Sequence, residues 1–294
     1  MSVKRRAFIY IITAGVLWAT SGLFVTDLSR FGLAPMQITA FRGLVAFLCL
    51  GAFVLIRDRR LFAFKLRDLP LLLLNGLALF VTSSSYYISM QKTSVSTAVV
   101  LMYMAPAYVM LFSVLVWRER FSALKGISLA GVLVGGGLVS GIVSGLKFDK
   151  IGILLGLLSG ICYGAELVLS KMAMRRGYHP LTVTFYSFAV MAMLSVCVCH
   201  PIQAVTLVGK SPLPLIPLIL LLGVITYVLP YLFCFFAMQT LPAGTASALC
   251  IVEPMAATIF SVLFLEESLD GFAIVGIVLI LTSVFFLGKA EGKE

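Results

Sequence analysis

Between residues 7 and 287 the chain carries apolar runs of about 20 residues, joined by short connections that hold most of its charge. At ~1.5 Å of rise per residue, a helical run of that length crosses the ~30 Å of hydrocarbon in a bilayer. Lipid offers no water to a free N–H or C=O, so a spanning segment must satisfy its own backbone, and a helix does so. Composition agrees: 61% of residues are hydrophobic and 12% are charged, against roughly a quarter charged in soluble domains.

Ten runs are read as transmembrane helices: 7–25, 35–56, 69–90, 94–117, 126–144, 151–171, 180–200, 214–238, 243–265 and 271–287. Lys4, Arg5 and Arg6 before the first run suggest a signal peptide, but its length and the want of a clear small-x-small cleavage site favour a retained helix.

The net charge of +10 is distributed by side. With the N-terminus in the cytoplasm, 16 of the 22 Lys and Arg lie on the inner side. Five lie outside (Arg30, Lys92, Lys147, Lys150 and Lys210), and Arg42 is inside a run. That bias predicts cytoplasmic termini and a multi-pass protein of the cell membrane; it reads as topology charge and not as a nucleic-acid surface. The six cysteines sit in or beside apolar runs and form no disulfide framework. Cys197-Val198-Cys199-His200 could be a metal tract, but at the end of an apolar helix packing explains it as well.

The chain also repeats itself. Residues 90–119 and 238–267 share 11 identities in 30 positions without a gap, including Met90/Met238, Gln91/Gln239, Pro106/Pro254 and Glu119/Glu267. A second echo aligns Gly15, Trp18, Pro35 and Thr39 with Gly160, Tyr163, Pro180 and Thr184. Two domains follow, 1–146 and 147–294, each of five helices. An odd number of spans inserts the second copy upside down, so the expected fold is an all-α membrane protein of two inverted five-helix repeats. Inverted repeats are characteristic of secondary transporters, whose substrates sit near the midplane between the halves.

Ten helices in two halves, each with a proline-bearing helix that ends in Glu, resemble the drug/metabolite transporter superfamily, and more narrowly its EamA-type members. The residues that carry the resemblance are Pro106 to Glu119-Arg120-Phe121-Ser122, Glu253-Pro254 to Glu266-Glu267-Ser268-Leu269, Trp18 and Phe41-Arg42. It covers the whole chain and implies transport of small metabolites, with exporters of amino acids the nearest comparison. Tyr163 stands at the second-half position of Trp18, so the halves are not interchangeable.

Helical periodicity places polar and aromatic residues on inward faces. In 151–171, Gly152, Gly156, Gly160 and Gly164 share a side with Ser159, Tyr163, Glu166 and Ser170, opposite Leu154, Leu157, Leu158, Ile161, Val168 and Leu169. Similar faces carry Trp18, then Asn75, Thr82 and Tyr86, then Tyr227, Pro230, Tyr231 and Cys234, with Met102 and Tyr103 on the fourth run. We expect these faces to meet in one partly wet cavity walled by Trp18, Tyr86, Tyr103, Tyr163, Tyr227 and Tyr231; plain interior packing is the alternative for any one ring. Arg42, Glu166 and Glu253 are ionisable residues inside apolar runs and therefore functional candidates. Glu166 and Glu253 could hold a substrate amine, carry a proton or brace a helix. Arg42 is expected as a structural partner, of a carboxylate in an ion pair or of helix-end carbonyls. Pro106 and Pro254 are expected hinges for rocking of the halves.

Hydrolase, P-loop and zincin motifs are absent from the sequence, and His179 and His200 lie at run ends, so no catalytic residue, metal or cofactor is expected. An enzyme and a purely structural membrane protein are the rival classes. The expected partners are the bilayer and a small substrate, an amino acid or another amphipathic cation or zwitterion.

Overall fold

The computed structural model describes residues 3–105, 108, 123–139, 149–199, 201–238 and 252–291. Pro106, Glu119, His200, Gln239 and Cys250 lie outside the described residues. The described chain is helical, without strands: α1 (Val3–Ala19), α2 (Ser21–Arg30), α3 (Pro35–Arg57), α4 (Leu69–Lys92), α5 (Val95–Met102), α6 (Ala123–Val139), α7 (Lys150–Arg175), α8 (Pro180–Val198), α9 (Pro201–Lys210), α10 (Pro212–Gly223), a π-helical turn (Val224–Val228), α11 (Leu229–Met238), α12 (Val252–Leu265) and α13 (Gly271–Glu291). Among the described residues six helical stretches are long and apolar enough to cross a membrane: Arg5–Arg30, Pro35–Arg57, Leu66–Lys92, Lys150–Arg175, Pro180–Val198 and Pro212–Cys234. Val252–Leu265 and Gly271–Ser283 are shorter apolar helices.

Local chemistry sets the helix starts. Pro35 opens α3, where the Gln37 side chain accepts the Ala34 N–H at 3.0 Å. Ser94 accepts the Thr97 N–H at 3.1 Å before α5, and Asp149 accepts the Gly152 N–H at 2.7 Å before α7. After α7 the chain turns at Gly177, whose φ of +91° is open to glycine at little cost.

Three features depart from the sequence reading. The first run is not one helix: it breaks at Thr20, whose hydroxyl bonds back to the Leu17 carbonyl at 2.7 Å, and it continues to Arg30. The expected helix 214–238 contains the π turn, in which the Leu229 N–H reaches back five residues to the Val224 carbonyl. A connection was expected over 201–213, but α9 occupies most of it.

Leu154, Leu158 and Ile161 of α7 face outward, whereas Leu157 and Leu169 pack inward against neighbouring clusters. The glycine side of α7 meets α4 and α5. Gly156 lies against Ser89 and Leu101, and a Cβ on Gly160 would stand 2.8 Å from the Leu101 carbonyl oxygen. Only glycine allows that approach.

Helices at matching places in the two halves pack against each other and run in opposite directions. Gly43 and Gly51 of α3 face Ala192 and Phe185 of α8. Gly131 of α6 faces Ser283 of α13, and Gly135 faces Gly276 and Ile280. Val95 and Tyr103 of the α5 region bond to Glu267 and Glu253, respectively, at the two ends of α12. The remaining packing is also paired: α4 lies on α7 as α11 lies on α1, and α5 lies on α7 as α12 lies on α1.

Candidate functional site

A cavity of about 60 Å³ lies between α1, α3, α4, α7, the π turn, α11 and α12. Trp18, Tyr86, Tyr163, Glu166, Tyr227, Tyr231 and Glu253 line it together, and so does Arg42. Tyr103 is absent from the lining but reaches it through Glu253, donating its hydroxyl to Oε2 at 2.5 Å. Tyr163 sits near the middle of α7, so the cavity is deep in the apolar part of the bundle.

The aromatic wall is a connected ladder. Tyr227 stacks on Phe188 with centroids 5.0 Å apart, Tyr231 meets both edge-on at 5.8 and 5.2 Å, and Trp18 meets Tyr231 edge-on at 5.6 Å. The Tyr227 hydroxyl is 2.6 Å from Ser83 Oγ, which fixes the ring. Ser21, Leu79 and Ser83 also line the cavity, without a sequence signal that marks them. Ser83 is one of three consecutive serines, all buried, so composition gave no reason to choose it. Asn75 and Cys234 belong to other contacts. Asn75 donates to Ser187 at 2.7 Å, and Cys234 packs with Ala7, Ile11 and Ala237.

The charged residues are buried: Arg42 is 5% exposed, and Glu166 and Glu253 are 7%. Tyr231 donates to Glu166 Oε1 over a long 3.5 Å, and Glu166 Oε2 has no hydrogen-bond partner among the described residues. A polar group at this depth without a partner costs several kcal/mol, about 1–3 by protein mutagenesis and more for a charge.

Arg42 meets a backbone carbonyl and not a carboxylate. No carboxylate of a described residue lies within ion-pair distance of it. Its guanidinium carbon is 3.4 Å from the centroid of the Tyr227 ring and 5.2 Å from that of Tyr87, and Nη2 donates to the Thr226 carbonyl at 3.3 Å. The reason is local. Pro230 has no N–H, which removes the α-helical donor to the Thr226 carbonyl and eases the approach of a side chain to it. Tyrosine faces attract the cation in place of an anion. Nε of Arg42 has no hydrogen-bond partner among the described residues.

Of the two expected hinges, Pro254 stands in the first turn of α12 and is buried, while Pro106 is outside the described residues. A larger hollow of about 430 Å³ opens at the ends of α2, α4 and α12 beside Ser29, Gln91 and Glu267. Glu267 is already satisfied there by the N–H groups of Val95 and Ser96, at 2.7 and 3.3 Å, so the buried charge with unmet bonding belongs to the central cavity. Among the described residues no group of three His, Cys, Asp or Glu is placed to hold a metal, and Cys197 and Cys199 are free thiols.

An apolar helical exterior around buried polar and charged side chains defines a multi-pass membrane protein. The sequence pattern of the EamA-like transporter family matches residues 5–141 and again 150–289, and the chain belongs to that family. It is 28% identical over 290 residues to an uncharacterized transporter of Archaeoglobus fulgidus, covering 93% of both chains. It is 29% identical over 256 residues to the threonine/homoserine exporter RhtA of Salmonella typhimurium, covering 84% of this chain and 79% of that one. A crystal structure of 19% identity superposes with a TM-score of 0.61 over 95% of both chains, a likeness of fold alone.

Proposed function

We propose that the protein is a secondary transporter that moves an amino acid or similar small amphipathic metabolite through the central cavity by alternating access, as an exporter of the cell membrane. The observation that carries this reading is the convergence of Arg42, Glu166 and Glu253 on one aromatic cavity between helices of both halves. Antiparallel pairing of matched helices supports two inverted repeats, 1–146 and 147–294, of five spans each. Charge placement supports cytoplasmic termini. The named activity of RhtA supports an amino acid as substrate and export as direction.

At about 60 Å³ the cavity is far smaller than the ~300 Å³ at the low end of ligand sites. Substrate entry therefore requires the halves to move apart, with Pro254 and Pro106 as the flexible points. Purified protein in liposomes loaded with labelled amino acids, amines, nucleosides or vitamins should release at least one of them without ATP. Retention of every solute by correctly inserted protein would overturn the proposal.

A further inference from the structure

We propose that Arg42 grips the substrate's carboxylate while Glu166, with Glu253 beside it, takes its ammonium, so that the cavity selects molecules bearing both charges. The assignment rests on the transporter reading above. Arg42 is not engaged as a buried arginine normally is. It has one carbonyl contact at 3.3 Å, a ring face at 3.4 Å and a buried Nε with no partner. The fork of Nε and Nη donors is the edge that binds a carboxylate side-on, and part of it stands open.

Across the same cavity, Glu166 has one long contact and one buried oxygen without a partner. Glu253 is held by Tyr103, which leaves Oε1 for a second donor. The cavity thus contains one guanidinium and two carboxyl groups, and no described ion pair joins Arg42 to either. A simple amine entering it would satisfy Glu166 but leave Arg42 unanswered, and a simple acid would do the reverse. A zwitterion answers both, and the rings of Trp18, Tyr163 and Tyr231 remain for its carbon skeleton. Tyr227 does not serve as a face for the ammonium, because Arg42 already covers it.

The test uses the full-length protein in detergent and in liposomes. Thermal shift is measured with each standard amino acid, then with the strongest binder's decarboxylated amine and deaminated acid. Wild type should bind the amino acid roughly 100-fold more tightly than either analogue, since a site built for a polar group rejects ligands that lack it. Arg42→Gln should weaken the amino acid at least about tenfold and leave the amine unchanged or tighter, and Glu166→Gln should weaken the amino acid and spare the acid. Arg42→Lys keeps the charge without the fork and should fall between wild type and Arg42→Gln; it also serves if Arg42→Gln does not fold. Equal loss of amino acid and amine in the arginine variants, or wild-type binding of the amine as tight as of the amino acid, would overturn the assignment. If no amino acid binds wild type, the assignment fails. The transporter reading fails with it only if the liposomes also retain amines, nucleosides and vitamins.

Discussion

The carboxylates at the ends of the bundle differ from those in its centre. Near one end, Asp68 receives Arg176 Nη1 at 2.5 Å and the Tyr178 hydroxyl at 2.8 Å, while the Tyr178 oxygen accepts the Lys65 N–H at 2.9 Å. Near the other, Glu267 receives two backbone N–H groups and the Ser96 hydroxyl at 2.9 Å, and Ser96 also meets Ser261 at 2.6 Å. Each clasp joins a residue of one half to residues of the other, and each is saturated. Among the described residues, Glu166 and Glu253 have one side-chain hydrogen bond apiece, and one oxygen of Glu166 has none. A saturated carboxylate holds elements together; one with unmet bonding capacity is costly to keep in an apolar bundle and has the character of a ligand site.

The largest effect should come from the centre. Glu166→Gln and Glu253→Gln should each lower liposome flux by about 100-fold or more while moving Tm little, because the amide keeps the size and loses the charge. Full flux in either variant would remove its carboxylate from the transport cycle. The clasps should show the opposite balance. Asp68→Asn should lower Tm by a few degrees and raise labelling of cysteines placed around Tyr178, with substrate affinity retained. Glu267→Gln should act in the same sense but more weakly, since its main partners are backbone groups that the amide oxygen still accepts in part. A large affinity loss with unchanged Tm would erase the distinction between clasp and cavity.

Helix contact comes next in size. Gly160→Ala should cost about 1–3 kcal/mol, because its methyl would press on the Leu101 carbonyl and push α5, with Tyr103, away from Glu253. The smallest effect concerns His179, which lies between α7 and α8 and accepts the Leu181 N–H on Nδ1 at 3.2 Å. Partial burial, followed by the nearby Arg57 guanidinium, lowers its pKa below 6.5. The folded protein therefore holds this proton less tightly than the unfolded chain. Its contribution to stability is complete above pH 6.5 and declines as pH falls from there through the folded-state value. Thermal unfolding of His179→Ala against pH should lack that acid-side decline.

Much of the site was legible because a tyrosine, tryptophan or glutamate at helical spacing in an apolar run has few places to be except an inward face. Trp18, Tyr163, Glu166, Tyr227, Tyr231 and Glu253 reach one cavity for that reason. Ser21 and Ser83 were not legible, since small hydroxyl residues are common at helix contacts and can bond back to their own turn. The break at Thr20 and the π turn were equally hidden, because each is a choice between hydrogen bonds of similar strength made under the pressure of neighbouring helices.

By itself, the sequence determined that the chain is a bundle of apolar helices, where their polar faces lie, and that its halves echo each other. These follow from transfer of side chains and backbone into lipid, which depends on local composition and period alone. Only the tertiary structure decided that Arg42 rests on Tyr227 and the Thr226 carbonyl instead of a carboxylate, and that Asp68 and Glu267 each find full hydrogen bonding while Glu166 does not. Those outcomes depend on how helices far apart in sequence cross and rotate, a matter of side-chain fit that no single run contains.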